Sequence, residues 1–550
     1  MSFIVPSDVL LATRHKEFAR TRERIKDLVP GGNSVREFDL DLSEYKDDVL
    51  DDLLKAAQEV KNVRVARASR AIVQARAGDN GLNIPNFAAF KGVLVPYLQK
   101  GAFDAWIYVR RDDGRVYPEL VTGIRTHEGT RYNPEPMVII ATTYFGYDGN
   151  GNLTTCKDSY SFGPADVSNK TVAQALLGKG ICRETKDLRK QYDAEMLRFN
   201  KSIAPAFAKQ FRMNGKPLMV QEDEHSVRVY GGPSMSNVRV INDHNLDEAG
   251  IQKLDCESEI MENREGGCEV PVQPLVQIFD LNDHIYYWVH SENLTPYVYD
   301  KGLRDKLILP ASHRDLLDII TTDIDAFTQD LVEGRSSGNV ILAQGPPGVG
   351  KTMTAEVYSE IREMPLYRVR AGTLGTTAAE LSKALDVIFE RVLRWGCLLL
   401  LDDADVFVSE RDPKGKSMEQ NAIVAEFLRI LEMYSFLFFL NTNMTGAIDE
   451  AVISRCVAVL KYTYPSKKNL PRIWKVMAEL NGVKLSEKLI ADLVELLPQI
   501  APRDLKQIFR LTLRVTIARK EKLTLDAFRK CSILRGVELN QDKPTEAVAE

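Results

Sequence analysis

The stretch GPPGVGKT, Gly345 to Thr352, spaces its residues as G-x-x-x-x-G-K-T, the pattern of a loop that wraps phosphate groups. Glycines at 345, 348 and 350 free the backbone to curl, so that successive N–H groups face phosphate oxygens while the following helix presents its positive end. Lys351 is placed to bridge the β and γ phosphates of ATP, and the Thr352 hydroxyl to ligate Mg2+. The run Gly345, Pro346, Pro347, Gly348, Val349, Gly350, Lys351, Thr352 and Met353 is therefore the expected nucleotide contact. A second stretch, CLLLLDDAD, ends an apolar run in acids. Asp402 is expected to join Thr352 at the metal, and Asp403 to serve as base for the attacking water. Aspartate stands at 403 where glutamate is the usual choice, and its carboxylate sits ~1.5 Å further back on a fixed backbone. A misplacement of ~1 Å costs ~10² in rate, so slow hydrolysis is expected, with Asp403→Glu either faster or unchanged.

These residues need a scaffold that brings strand ends together. Short apolar segments NVILAQ, LYRVRA, CLLLLDD, FLFFLNT and VAVLKY alternate with helical patterns, the signature of a mostly parallel sheet with helices on both faces. The phosphate loop follows the first of these segments and precedes the helical TMTAEVYSEI, which is the context the motif requires. From about residue 466 only helical periodicity remains, so a small helical domain closes the chain. Pro310 in KLILPASHRDLLDII is a helix start signal, and the boundary before the sheet domain is expected near 305. Upstream, residues 8 to 77 are charged and alanine-rich with helical spacing, whereas 103 to 300 favour strands, with Asp113-Gly114 as a hairpin turn. The expected plan is a helical segment over 1–100, an α+β domain over 101–305, an α/β nucleotide-binding domain over 306–465, a helical lid over 466–540 and a flexible tail over 541–550.

Bulk composition excludes several classes. The 550 residues are 44% hydrophobic and 27% charged, ordinary values for a globular chain. A net charge of −5 argues against a protein that coats nucleic acid. Seven cysteines without a C-x-x-C pair fit neither a disulfide framework nor a zinc site. No signal peptide or membrane-length apolar run is read, so a cytoplasmic protein without membrane attachment is expected. Asp148, Asn150 and Asn152 fall at the first positions of a calcium loop, but Leu153 and Ser159 replace the glycine and glutamate it needs, and a hairpin turn is the preferred reading. His284 and His290 lack neighbouring ligands in sequence and are read as sheet residues.

Taken together, WGCLLLLDDADVFVSERD, NAIVAEFLRILEMY and NTNMTGAIDEAVISR resemble the AAA+ ATPases, in particular a group from fungi and microbes with a large N-terminal region. The resemblance covers roughly residues 300 to 535. Upstream, only FDLNDHIYYWVHSENLTPYVYDKGLRDKLILP carries a trace of it. It implies a P-loop AAA+ module, a parallel sheet flanked by helices plus a small helical lid, preceded by an α+β region. It further implies that Asn443 positions the lytic water, that Arg455 is an arginine finger acting on a neighbouring subunit's ATP, and that Arg503 reaches the γ-phosphate from the lid. A finger across an interface makes hydrolysis depend on assembly, and the resemblance implies a ring, a homo-hexamer.

The sequence departs from this pattern at the loop expected to grip polypeptide in a central pore. RAGTLGTTAAELSKAL, residues 370 to 385, has no aromatic residue, with Leu374 the bulky residue near the expected tip. Three functions follow: remodelling or disassembly of a protein bound by the N-terminal region, a DNA-metabolism role suggested by the clamp-loader-like SRCVAVLKY, or a slowly hydrolysing nucleotide-gated scaffold suggested by Asp403. The first is preferred.

Overall fold

The structure is a computed structural model. It describes residues 3–28, 37–40, 45–63, 65–66, 69, 84, 87, 90–99, 104–127, 135–147, 153–223, 226–244, 255–261, 267–322, 339–410, 418–432, 436–446, 448–537 and 539. The chain divides into two compact units: residues 1–207 with 211–296, and residues 208–210 with 297–550.

In the second unit five strands form one sheet: β1 (Val340–Gln344), β2 (Leu366–Arg370), β3 (Leu398–Asp402), β4 (Phe438–Thr442) and β5 (Cys456–Lys461). Their order is β2-β3-β4-β1-β5, and every pair is parallel. Parallel strands need crossovers and are covered on both faces, which is why β3 is buried along its whole length. Each of its four leucines contributes about 2 kcal/mol by leaving water. β4 lies between β3 and β1, which sets the carboxyl ends of β3 and β4 beside the phosphate loop, so that Asp402 of one segment meets Thr352 of another. Helix Ala378–Trp395 starts at a capping box, Thr377 with Glu380, and ends on Gly396 in the left-handed conformation at φ 61°. Four further helices, Leu470–Leu480, Glu487–Leu496, Pro502–Arg519 and Leu525–Leu534, enclose a core of their own. Its centre is aromatic, with Trp474 edge-on to Phe528 at 5.5 Å between ring centroids. The architecture is therefore α/β with a helical lid, preceded by a region of helices and strands.

The first unit holds two larger antiparallel sheets. A five-stranded sheet runs in the order 153–162, 137–147, 116–127, 106–110, 181–183. A seven-stranded sheet has strand 275–280 at its centre. The Asp113-Gly114 turn joins 106–110 to 116–127, with Gly114 at φ 81° and its N–H donating to the Arg111 carbonyl at 2.9 Å. One apolar core runs from Val5 through Leu98 to Val270, so helices such as Asp47–Glu59 pack together with the first sheet. Part of the expected helical stretch, residues 71–80, lies outside the described residues, as do Asp148, Asn150 and Asn152 and the 541–550 tail. His290 is buried and its Nε2 lies 3.4 Å from the Glu195 carboxylate, while His284 stacks on Phe279.

Candidate nucleotide-binding site

The phosphate loop leaves β1 and enters helix Lys351–Arg362 through three glycines at positive φ, 150° at Gly345, 81° at Gly348 and 111° at Gly350. Two of them also lack room for a side chain. A Cβ on Gly345 would lie 2.2 Å from the Tyr462 carbonyl oxygen, and one on Gly348 would lie 2.9 Å from Arg503 Cβ. Such approaches are what glycine permits. Val349 packs on the sheet core, and Pro347 and Met353 are exposed.

Lys351 is buried. Its Nζ donates to the carbonyls of Gly345 at 2.7 Å and Pro346 at 2.8 Å, and to Asn443 Oδ1 at 3.0 Å. Burial pushes its ammonium below the ordinary lysine value; Asp402 and Asp405 pull it back up, and the Arg503 charge adds to the depression. Thr352 Oγ1 donates to the Asp402 carboxylate, 3.2 Å from either oxygen. These two oxygen ligands match a hard cation, and neighbours in an octahedral shell of ~2.1 Å bonds stand about 3 Å apart. Beside them the Asn441 amide donates to Asp402 at 3.2 Å, while its own carbonyl oxygen is buried without a partner. The donor set therefore fits Mg2+ on Thr352 and Asp402.

Asp403 follows the strand end in the left-handed conformation, φ 56°, and is exposed. Asn443 Nδ2 donates to its carboxylate at 3.2 Å. Asn443 is held in turn by Asp405, which accepts from the Asn443 backbone N–H at 2.8 Å and from the Thr442 hydroxyl at 2.5 Å. Asn443 thus bridges Lys351 on one side and Asp403 on the other, tying β4 to the phosphate loop and the acid. From the lid, the Arg503 N–H donates to the Gly348 carbonyl at 3.1 Å. Arg455 is not part of this cluster. Its guanidinium is tied to the Glu432 carboxylate and donates to the Ala451 carbonyl at 2.8 Å.

Sequence reasoning missed three neighbours of the site. Asp405 is the third acid of DDAD, and its spacing was a usable signal. Asn441 lies two residues before Asn443 at the same strand end, where period-two alternation could have found it. Arg368, which ion-pairs with Asp402, gave no local signal because the contact depends on which strands are neighbours. Leu374, expected near a loop tip, is buried.

Residues 341–464 match the family model described as ATPase family associated with various cellular activities (AAA). This is an AAA domain. Over 180 residues the chain is 27% identical to an uncharacterized AAA family ATPase of Sinorhizobium fredii, a match covering 32% of this chain and 53% of that protein. Over 155 residues it is 27% identical to the human ATPase family AAA domain-containing protein 3B, covering 28% of this chain and 24% of that one. The match thus spans about half or less of these relatives' length. A solved FIGL-1 AAA domain in complex with ADP is 20% identical, with a TM-score of 0.35, and covers 44% of this chain and 87% of its own. The AAA domain implies nucleotide binding. Among the described residues no helix is long and apolar enough to cross a membrane.

Proposed function

We propose that the chain is a magnesium-dependent ATP hydrolase that works in an assembled ring, a homo-hexamer, to remodel or disassemble a protein held by its N-terminal region. The observation that carries the hydrolytic part is the convergence, at the carboxyl ends of β1, β3 and β4, of two hydrogen-bonded groups, Lys351 with Asn443 and Asp403, and Thr352 with Asp402. The loop N–H groups and Lys351 bind the phosphates, which displace Lys351 from the loop carbonyls it contacts. Thr352 and Asp402 hold Mg2+, which supplies charge neutralisation on the phosphate oxygens. Asp403 accepts the proton of the attacking water, and Asn443 orients that water through its link to Asp403. Arg503 approaches the γ-phosphate from the lid. Arg455 lies apart from its own chain's cluster, which supports a role on the ATP of an adjacent copy. No aromatic residue lies in residues 370–385 and Leu374 is buried, which favours shape change of the ring over threading.

The test is ATP turnover by the full chain and by Lys351→Ala, followed by capture with the Asp403→Asn trap in ATP. Turnover that Lys351→Ala abolishes, with a polypeptide retained on the trap, is the expected result. Equal phosphate release by wild type and Lys351→Ala would refute the hydrolase, leaving a nucleotide-gated scaffold. Retention of nucleic acid alone would replace the protein-remodelling role with one in DNA metabolism.

A further inference from the structure

The carboxylate assigned to the metal already carries a cation of the protein's own. Arg368 Nη2 is 2.5 Å from Asp402 Oδ2. Its Nη1 lies 3.8 Å from Glu356 Oε1 on the helix that follows the phosphate loop. The register explains the reach. Arg370 on β2 stands opposite Asp402 on β3, so Arg368, two residues earlier on the same face, extends forward to the strand end. The pair is unequally exposed, 40% for the Arg368 side chain and 10% for Asp402, and the Arg368 Nε is buried without a partner. Guanidinium and divalent cation therefore compete for one carboxylate, and a second acid lies within the arginine's swing.

We propose that Arg368 is a cation gate, holding Asp402 when no divalent cation is bound and moving to Glu356 when the metal takes Asp402. This rests on the reading of Asp402 as a metal ligand. Two effects of opposite sign follow. Arg368 weakens the metal by competing for its ligand. It also strengthens nucleotide binding without metal, because it neutralises a carboxylate that would otherwise repel the phosphates. The coupling is reciprocal: the factor by which the arginine weakens the metal is the factor by which the metal loosens the arginine.

The test uses the full chain with N-methylanthraniloyl-ADP as probe. Mn2+ binding is read by electron paramagnetic resonance, and nucleotide affinity by fluorescence with EDTA present. Arg368→Met is expected to bind Mn2+ about tenfold tighter and, in EDTA, nucleotide about tenfold more weakly. Arg368→Lys is expected to fall between it and the wild type. In an Asp402→Asn background, Arg368→Met is expected to shift neither quantity by more than about twofold. Unchanged or weaker Mn2+ binding in Arg368→Met, with Asp402→Asn still weakening the metal, overturns the gate and leaves the metal assignment standing. No loss of Mn2+ in Asp402→Asn overturns both. Circular dichroism checks folding. If Arg368→Met does not fold, Glu356→Gln replaces it. That variant is expected to weaken Mn2+ about threefold by removing the arginine's second resting place, and unchanged binding overturns the gate.

Discussion

Asp403 owes its identity to backbone conformation as much as to chemistry. At φ 56° it occupies a region that costs most L-residues roughly 1–2 kcal/mol, and that Asp and Asn tolerate best because their short side chains bond locally. A glutamate here trades reach for strain. Asp403→Glu is therefore expected to keep turnover while lowering stability by about 1 kcal/mol, visible as a fall in Tm without loss of ATPase rate. Asp403→Asn, which keeps the Asn443 contact but not the base, is expected to lose ~10² or more in turnover and to retain nucleotide. Phosphate release and fluorescent-nucleotide binding separate the two. The glycines, lysine, threonine and both aspartates were legible because their spacing alone carries the phosphate chemistry. The left-handed turn at Asp403 and the Arg368 contact were not, since neither leaves a mark on its own stretch of sequence.

Among the elements, the phosphate loop gives a graded test. Alanine at Gly345 meets backbone at 2.2 Å, at Gly348 it meets the Arg503 side chain at 2.9 Å, and at Gly350 it meets nothing within 4 Å. All three carry positive φ, so each pays ~1 kcal/mol or more of strain. Loss of nucleotide affinity and of Tm is expected in the order Gly345→Ala, Gly348→Ala, Gly350→Ala. A larger effect at Gly350 than at Gly345 would contradict the packing described. The seven-stranded sheet has its own sensitivity, to acid. His244, just beyond strand Met235–Asn242, is buried against Phe199, and burial pushes its pKa down to about 4. The unfolded chain, with an ordinary pKa near 6.5, takes up this proton first, so stability is full above pH 6.5 and falls as pH drops toward 4, by about 3 kcal/mol. His244→Gln is expected to flatten denaturant midpoints across that window. The parallel strands were legible as apolar runs bounded by turns. The Asp113-Gly114 hairpin of the five-stranded sheet was legible as well, but the pairing of 106–110 with 181–183 and the order of the seven-stranded sheet were not, because they join residues far apart in sequence.

For the whole molecule, the decisive variable is concentration. Arg455 is held by Glu432 and Ala451 in its own chain, so a finger acting on a neighbour's ATP must exchange these contacts for the nucleotide when copies assemble. Turnover per chain is expected to rise with protein concentration, and Arg455→Ala to remove that rise, a loss of ~10³ or more, with nucleotide affinity within about twofold of wild type. Concentration-independent turnover in the wild type would contradict the assembled mechanism. The nucleotide unit was readable from sequence because its motifs repeat a fixed order of strand, loop and helix. The N-terminal unit was readable only as α+β, since its core joins Val5 to Val270 through contacts that no local pattern encodes. One residue links these scales. Tyr462, where β5 gives way to the segment leading into the lid, donates its hydroxyl to Thr354 Oγ1 at 2.9 Å, donates its N–H to the Gln344 carbonyl at 2.8 Å, and presses its own carbonyl against Gly345. In mechanical terms it is a pivot pin set against the loop. A lid that moved would transmit its torque through Tyr462 directly to Gly345, a short lever with little slack.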